Sequence, residues 1–335
     1  LFTKSGPVGP GLIWSNMMKQ QLILGLALSL FSQLVVAAES VNENLQVAGN
    51  EKIYIENMRG EVEIVANSEN RFKVSGTLDE KAEGYELDSK NGFTSFKVKM
   101  PSLRNYGNWD DQEKEGSRLK IEVPFGTELE FQGVNASVKV SGVQGSTKVT
   151  TVNGSVYAEK LQKFIQLETV NGEITSVNNN GRITLNTVNG EIEDTGSEGR
   201  LSIDAVNGSI ETKSSASEVS VSVVNGEADL ELTNVQQLNM SSVNGSLDAE
   251  VKGSLTPRIE ASTVSGNAKL KLEKAISAKF NLVANAGGSI KNELTSQKAE
   301  KAKYGPRSSL EFSTGKGEGS VEMNTVSGSM KLETH

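Results

Sequence analysis

The tripeptide Val-Asn-Gly recurs at Val152, Val170, Val188, Val206 and Val224, and each step is 18 residues. Val134-Asn135-Ala136 lies one further step upstream. Val243-Asn244-Gly245 follows after 19 residues and Val264-Ser265-Gly266 after 21. A degenerate copy ends in Gly287-Gly288-Ser289-Ile290, and Val326-Ser327-Gly328 restores the motif. A fixed period of this length means a chain built from equivalent supersecondary units. Two positions after each Gly stands an apolar residue: Val156, Ile174, Ile192, Ile210, Ala228 or Leu247. A polar turn follows, such as Asp194 to Gly199, and then a second alternating run such as Leu201 and Ile203. Each unit therefore holds two short strands of period two, and helical spacing is nowhere sustained.

Asn-Gly between alternating strands is also a hairpin signal, so an antiparallel meander competes with a stack of coils. Every second connection lacks Asn-Gly and varies, whereas the Val and Gly columns stay fixed, which favours stacking. The expected fold is all-β, a parallel β-solenoid of about 18 residues per coil over residues 131–335. Nine or ten coils spaced about 4.8 Å apart would make a rod on the order of 45 Å long. Val152, Val170, Val188, Val206 and Val224 are expected to share an interior row. Asn153, Asn171, Asn189, Asn207 and Asn225 are expected to form an amide ladder. Gly154, Gly172, Gly190, Gly208 and Gly226 are expected to supply the backbone conformation of a corner. On this reading Val188→Asp damages the fold more than a change at the turn residue Glu198.

Residues 39–130 carry strands without a period, for example Lys52–Ile55, Glu61–Val65, Arg71–Val74 and Arg118–Val123. Their clean alternation predicts an antiparallel sheet that covers the open edge of the first coil. Gln297 to Pro306 is a charged interruption, expected to be an exposed loop or short helix. At the other end, Met17-Met18-Lys19, the apolar run Leu22–Leu30 and Leu34–Ala38 have the form of a secretory signal peptide over residues 17–38. The run is too short to cross a bilayer comfortably, so no membrane span is expected in the mature chain. Residues 1–16 read as translation from upstream of the start. The protein is thus expected to be exported, either periplasmic or secreted to the cell surface.

The formal net charge is −8, and the first 38 residues carry two lysines and no acid, so the mature chain stands at −10. An acidic chain without basic clusters argues against nucleic acid as a partner. With no cysteine, zinc ribbons, thiol catalysis and lipidation at a signal-peptide cysteine are not expected.

The leader, Glu122–Leu129 (Glu-Val-Pro-Phe-Gly-Thr-Glu-Leu), the Val-Asn-Gly or Val-Ser-Gly units and Gly315–Gly319 before Val326 together resemble the bacterial β-strand-repeat family labelled "putative adhesin". The likeness covers roughly residues 41–332. It implies a β-solenoid at the cell envelope and transfers no catalytic residue.

The one histidine is His335, so Ser-His-Asp chemistry and a histidine metal site are not expected, nor is any cofactor. The expected function is a non-enzymatic envelope scaffold whose partner is an envelope protein or a polysaccharide. The alternative is a carbohydrate-binding or carbohydrate-active protein using Asp110, Asp111, Glu113 and Glu115 beside Tyr106 and Trp109. A second alternative is a periplasmic accessory or regulatory protein. Asn178, Asn180, Asp194 and Glu198 would have to converge to hold calcium. Thr151 and Asn153, Thr169 and Asn171, Thr187 and Asn189 would form a flat Thr-x-Asn face if both members pointed one way.

Overall fold

A computed structural model describes residues 39–101 and 116–335, and these form one all-β body. Seven strands lead into the repeats: β1 (Ser40–Gln46), β2 (Lys52–Asn67), β3 (Arg71–Thr77), β4 (Tyr85–Lys90), β5 (Phe93–Val98), β6 (Ser117–Pro124) and β7 (Glu128–Ser141). The repeats supply β8 (Thr147–Thr150), β9 (Val156–Glu159), β10 (Gln162–Asn171), β11 (Ile174–Val177), β12 (Asn180–Asn189) and β13 (Ile192–Thr195). They continue with β14 (Glu198–Asn207), β15 (Ile210–Ser214), β16 (Glu218–Thr233), β17 (Gln237–Lys252), β18 (Arg258–Thr263) and β19 (Asn267–Leu272). The chain closes with β20 (Ala278–Ala284), β21 (Ser289–Asn292), β22 (Glu300–Lys301), β23 (Ser308–Ser313), β24 (Gly319–Thr325) and β25 (Ser329–Thr334).

The repeat strands pair in parallel, each residue with its equivalent one unit on. Ile165 lies beside Ile183, which lies beside Leu201; Ile174 lies beside Ile192, which lies beside Ile210. Two rows of strands result. One runs β8, β10, β12, β14 and on through the first half of β16 and β17 to β18. The other runs β9, β11, β13, β15 and on through the second half of β16 and β17 to β19. Alternate residues of both rows point to one shared core, so Val149, Leu167, Leu185, Ile203 and Val221 form an interior column. Each such side chain contributes about 1.5–3 kcal/mol by leaving water. No unit could bury its stripe alone, so the stack is held by neighbour contacts.

The antiparallel N-terminal portion is present: β1 pairs with β3, β3 with β6, and β4 with β5. The segments 52–55 and 61–65, however, belong to the single strand β2, which pairs in parallel with β5, β6 and β7. In space β5 and β6 therefore lie outside β2, although they follow it in sequence. A buried clamp fixes this end. Arg59 reaches Asp79 through Nε at 2.7 Å and Nη2 at 3.2 Å, and the Asp79 carboxylate is fully buried. Tyr85 donates to Glu43 at 2.5 Å and so ties β4 to β1.

The C-terminal end inverts the same way. β24 and β25 pair in parallel with β18 and β19 on one side and with β20 and β21 on the other. The last unit in sequence is thus inserted before the one preceding it. Thr263 donates to Thr325, 62 residues away, at 2.9 Å. β23 pairs antiparallel with β20, and β22 with β23. Phe280 and Phe312 stack across that junction with ring centroids 4.4 Å apart. The charged interruption at 297–306 contains β22 and is exposed. At both ends antiparallel strands follow the last parallel pair, which limits the open edge available for uncontrolled pairing.

Candidate functional site

The repeated tripeptides lie where the chain passes from one row of strands to the other. Counting inward positions along β10 gives Ile165, Leu167 and Thr169, all buried, so Val170 must face out. Val152, Val170, Val188 and Val206 are each 37–39% exposed, and Val224 is half-buried. The expected interior valine row is therefore corrected: the valines form an outward row. The corner position inside belongs to the preceding residue, Thr151, Thr169, Thr187, Ala205 or Val223. The threonine hydroxyls of that column turn back onto the backbone; Thr151 donates to the Ala136 carbonyl at 3.0 Å and Thr169 to that of Gly154 at 3.2 Å.

The Thr-x-Asn face is corrected for the same reason. Thr169 pairs with Thr187 and Asn171 with Asn189, but the intervening valines leave the ladder, and the chain turns between them. The threonines end inside and the asparagines outside. Asn153 donates from Nδ2 to Oδ1 of Asn135 at 2.7 Å, Asn171 to Asn153 at 2.8 Å, and Asn189 to Asn171 at 2.9 Å. Asn207, Asn225 and Asn244 extend the chain of amides at 2.9, 2.9 and 3.3 Å.

Gly154, Gly172, Gly190 and Gly208 have no left-handed backbone, so the conformational reason expected for them is corrected as well. They are crowded instead. A β-carbon on Gly190 would lie 1.9 Å from the Gly172 oxygen, and one on Gly208 1.8 Å from the Gly190 oxygen. Gly226 adds φ +156° to a contact of 1.9 Å with the Gly208 oxygen.

The four turn residues considered for calcium do not converge. Asp194 points into the core, where Ser197 and Thr212 donate to its two oxygens at 2.5 and 3.0 Å. Burial raises the pKa of its carboxyl, against those hydrogen bonds. Asn178, Asn180 and Glu198 face outward, with Asn180 donating to Glu198 at 2.8 Å. The neighbouring Asn179 is fully buried and staples the turn to Leu161 N–H, the Ala158 carbonyl and the Ser176 hydroxyl. Among the described residues no group of three or more acidic or histidine side chains could hold a metal ion. Tyr106, Trp109, Asp110, Asp111, Glu113 and Glu115 lie outside the described residues.

Sequence reasoning missed a groove of about 590 Å³ on the outward face of β3, β6, β2, β7 and β9. Lys120, Glu63, Lys139 and Tyr157 are consecutive register neighbours across it. The Lys139 ammonium sits 5.2 Å from the Tyr157 ring centre. Oppositely charged neighbours such as Lys52 and Glu128, or Lys269 and Asp248, close into ion pairs at 3.1 and 2.9 Å. Among the described residues Lys120, Glu63 and Lys139 form none. The signal was available: Lys120, Glu63 and Lys139 alternate with buried residues on three separate strands, but nothing in the sequence said which strands adjoin.

These features define an all-β protein with a largely parallel sheet, an antiparallel N-terminal portion and a corner edge of repeated side chains. No family model and no curated protein matches the sequence. Solved structures do match. A "putative adhesin" from Parabacteroides distasonis is 15% identical with a TM-score of 0.41, covering 89% of this chain and 98% of that one. A "putative adhesin" from Parabacteroides merdae is 11% identical with a TM-score of 0.42, covering 89% and 96%. A "putative lipid binding protein" from Parabacteroides distasonis is 11% identical with a TM-score of 0.45, covering 89% and 97%.

Proposed function

We propose that the chain is a non-enzymatic scaffold of the cell envelope, wound as a β-solenoid, that holds a partner along its valine–asparagine edge. Parallel pairing of residues 18 apart supports the winding, and the leader at 17–38 supports export to the periplasm or cell surface. The observation that carries the reading is the line of exposed valines at Val152, Val170, Val188 and Val206 beside an unbroken amide ladder. A contiguous exposed apolar row marks a surface that gains by being covered. Side chains already held by a ladder lose little freedom on contact, which favours binding. The partner is an envelope protein or polysaccharide long enough to touch several rungs.

Beads carrying the mature chain are expected to attach to envelope fragments of the producing bacterium. The triple variant Val170→Asp, Val188→Asp, Val206→Asp should weaken attachment about tenfold or more while the thermal melt shifts little. Equal attachment by that variant overturns the binding edge. Recovery of the mature form from the cytoplasmic fraction overturns the compartment, and turnover of any offered polysaccharide overturns the non-enzymatic assignment.

A further inference from the structure

The groove across β3, β6, β2, β7 and β9 lies on a strand face, away from the valine corner, and the interior columns give no reason for its side chains. Its volume of about 590 Å³ falls in the range of small-molecule sites, about 300–1,000 Å³. It is an open groove rather than an enclosed cavity, so it does not offer the water-free enclosure that an acyl chain needs. Across its floor run Lys120, Glu63 and Lys139, a donor, an acceptor and a donor on adjacent parallel strands. Among the described residues these three form no ion pairs, which leaves their hydrogen-bonding capacity to a ligand.

We propose that this groove binds a saccharide. A sugar ring presents vicinal hydroxyls, each of which both donates and accepts, and that is the complement of an alternating Lys–Glu–Lys row. A lone carboxylate ligand would face Glu63, and a lone amine would face two ammonium groups, so neither fits as well. The sugar's C–H face packs on the ring of Tyr157, which is half-buried on β9 and therefore held in place. The Lys139 ammonium lies next to that ring, where it can donate to the sugar's hydroxyls. Ser137 and Ser155, beside Lys139 and Tyr157, add hydroxyls at the rim. The rigid strands fix the backbone positions of these residues, and half-burial holds the Tyr157 ring, which limits the entropy lost on binding.

The site does not depend on the valine edge, and its test uses other residues. Maltotriose, mannotriose and chitotriose are offered to the full mature chain and followed by saturation-transfer NMR and titration calorimetry. At least one should bind with a millimolar or tighter dissociation constant. Tyr157→Ala should weaken it about tenfold and Glu63→Gln about threefold, as expected for loss of a packed ring and of one hydrogen-bond acceptor. Tyr54→Ala, an outward tyrosine on the other half of β2, should leave binding unchanged. If Tyr157→Ala fails to fold, Glu63→Gln and Lys120→Gln carry the test. Binding of none of the three sugars overturns the proposal, as does affinity that survives the groove variants.

Discussion

From Thr147 to Thr233 the strand residues lie beside their equivalents in the next unit, whereas at the two ends sequence neighbours are not spatial neighbours. In the middle the interactions repeat: an aliphatic column inside, an amide ladder outside, a glycine pressed on the carbonyl below. At the ends they are individual: the Arg59–Asp79 clamp, the Tyr85–Glu43 tie, the Phe280–Phe312 stack and the Thr263–Thr325 hydroxyl pair. The inversions resemble each other. β2 is enclosed between β5/β6 and β7, and β24/β25 between β18/β19 and β20/β21. Neither the first nor the last repeat-like unit in sequence is left at the edge. A uniform stack is stabilised by nearest-neighbour terms, so its weak points are its ends; enclosing the terminal units gives each of them two neighbours.

Removing residues 319–335 should have the largest effect. It takes away the unit between β18/β19 and β20/β21, so hydrogen exchange should show lost protection over 278–313 with 147–232 still protected. Retained protection over 278–313 would mean that sequence-order stacking is available and would break the contrast. Asp79→Ala should follow, at about 3–5 kcal/mol, because it removes the buried carboxylate that Arg59 grips through two nitrogens; chemical denaturation would measure it.

In the middle, Leu185→Ala should cost about 2–5 kcal/mol through an unfilled cavity. Val188→Asp, three residues on but facing outward, should cost less than about 1 kcal/mol. Comparable losses for the two would place Val188 inside after all. Deleting the whole unit 180–197 should be milder than the C-terminal truncation, because it removes one unit and one interface and leaves the rest of the stack in register. β10 would then meet β14 in the register that β12 now occupies, and a folded chain with a modestly lower melting temperature should result. A collapse as severe as the C-terminal truncation would erase the distinction between repetitive and individual regions.

The smallest effect concerns Asp194. Its folded-state pKa is raised by burial, so its carboxyl favours the folded state below the ordinary aspartate pKa of about 3.9, and that contribution is lost as pH rises through the folded value. Asp194→Asn should therefore match the parent in melting temperature at acid pH and equal or exceed it at neutral pH. A variant less stable at neutral pH than at acid pH, relative to the parent, would contradict the sign.

Much of the middle was legible because the period repeats one decision many times. Parallel pairing follows once equivalent residues must lie side by side, and an amide ladder follows from fixed asparagines. The placement of the valines runs against their hydrophobicity: alternation from Leu167 through Thr169 puts Val170 outside. The C-terminal inversion also left a trace. Val264-Ser265-Gly266 and Val326-Ser327-Gly328 share serine where the others have asparagine, and the two serine hydroxyls sit 3.3 Å apart. The degenerate copy at 284–288 shares no such mark.

The sequence by itself determined that the chain is all-β, that its strands alternate, and that identical residues recur at a spacing suited to stacking. These depend on local propensity and on a period, and both are properties of the chain alone. Only the tertiary structure decided which units neighbour one another at the ends, which side of the corner faces water, and that Lys120, Glu63, Lys139 and Tyr157 share a groove. Those outcomes depend on contacts between segments far apart in sequence, where burial of a whole column outweighs any preference that a single residue expresses.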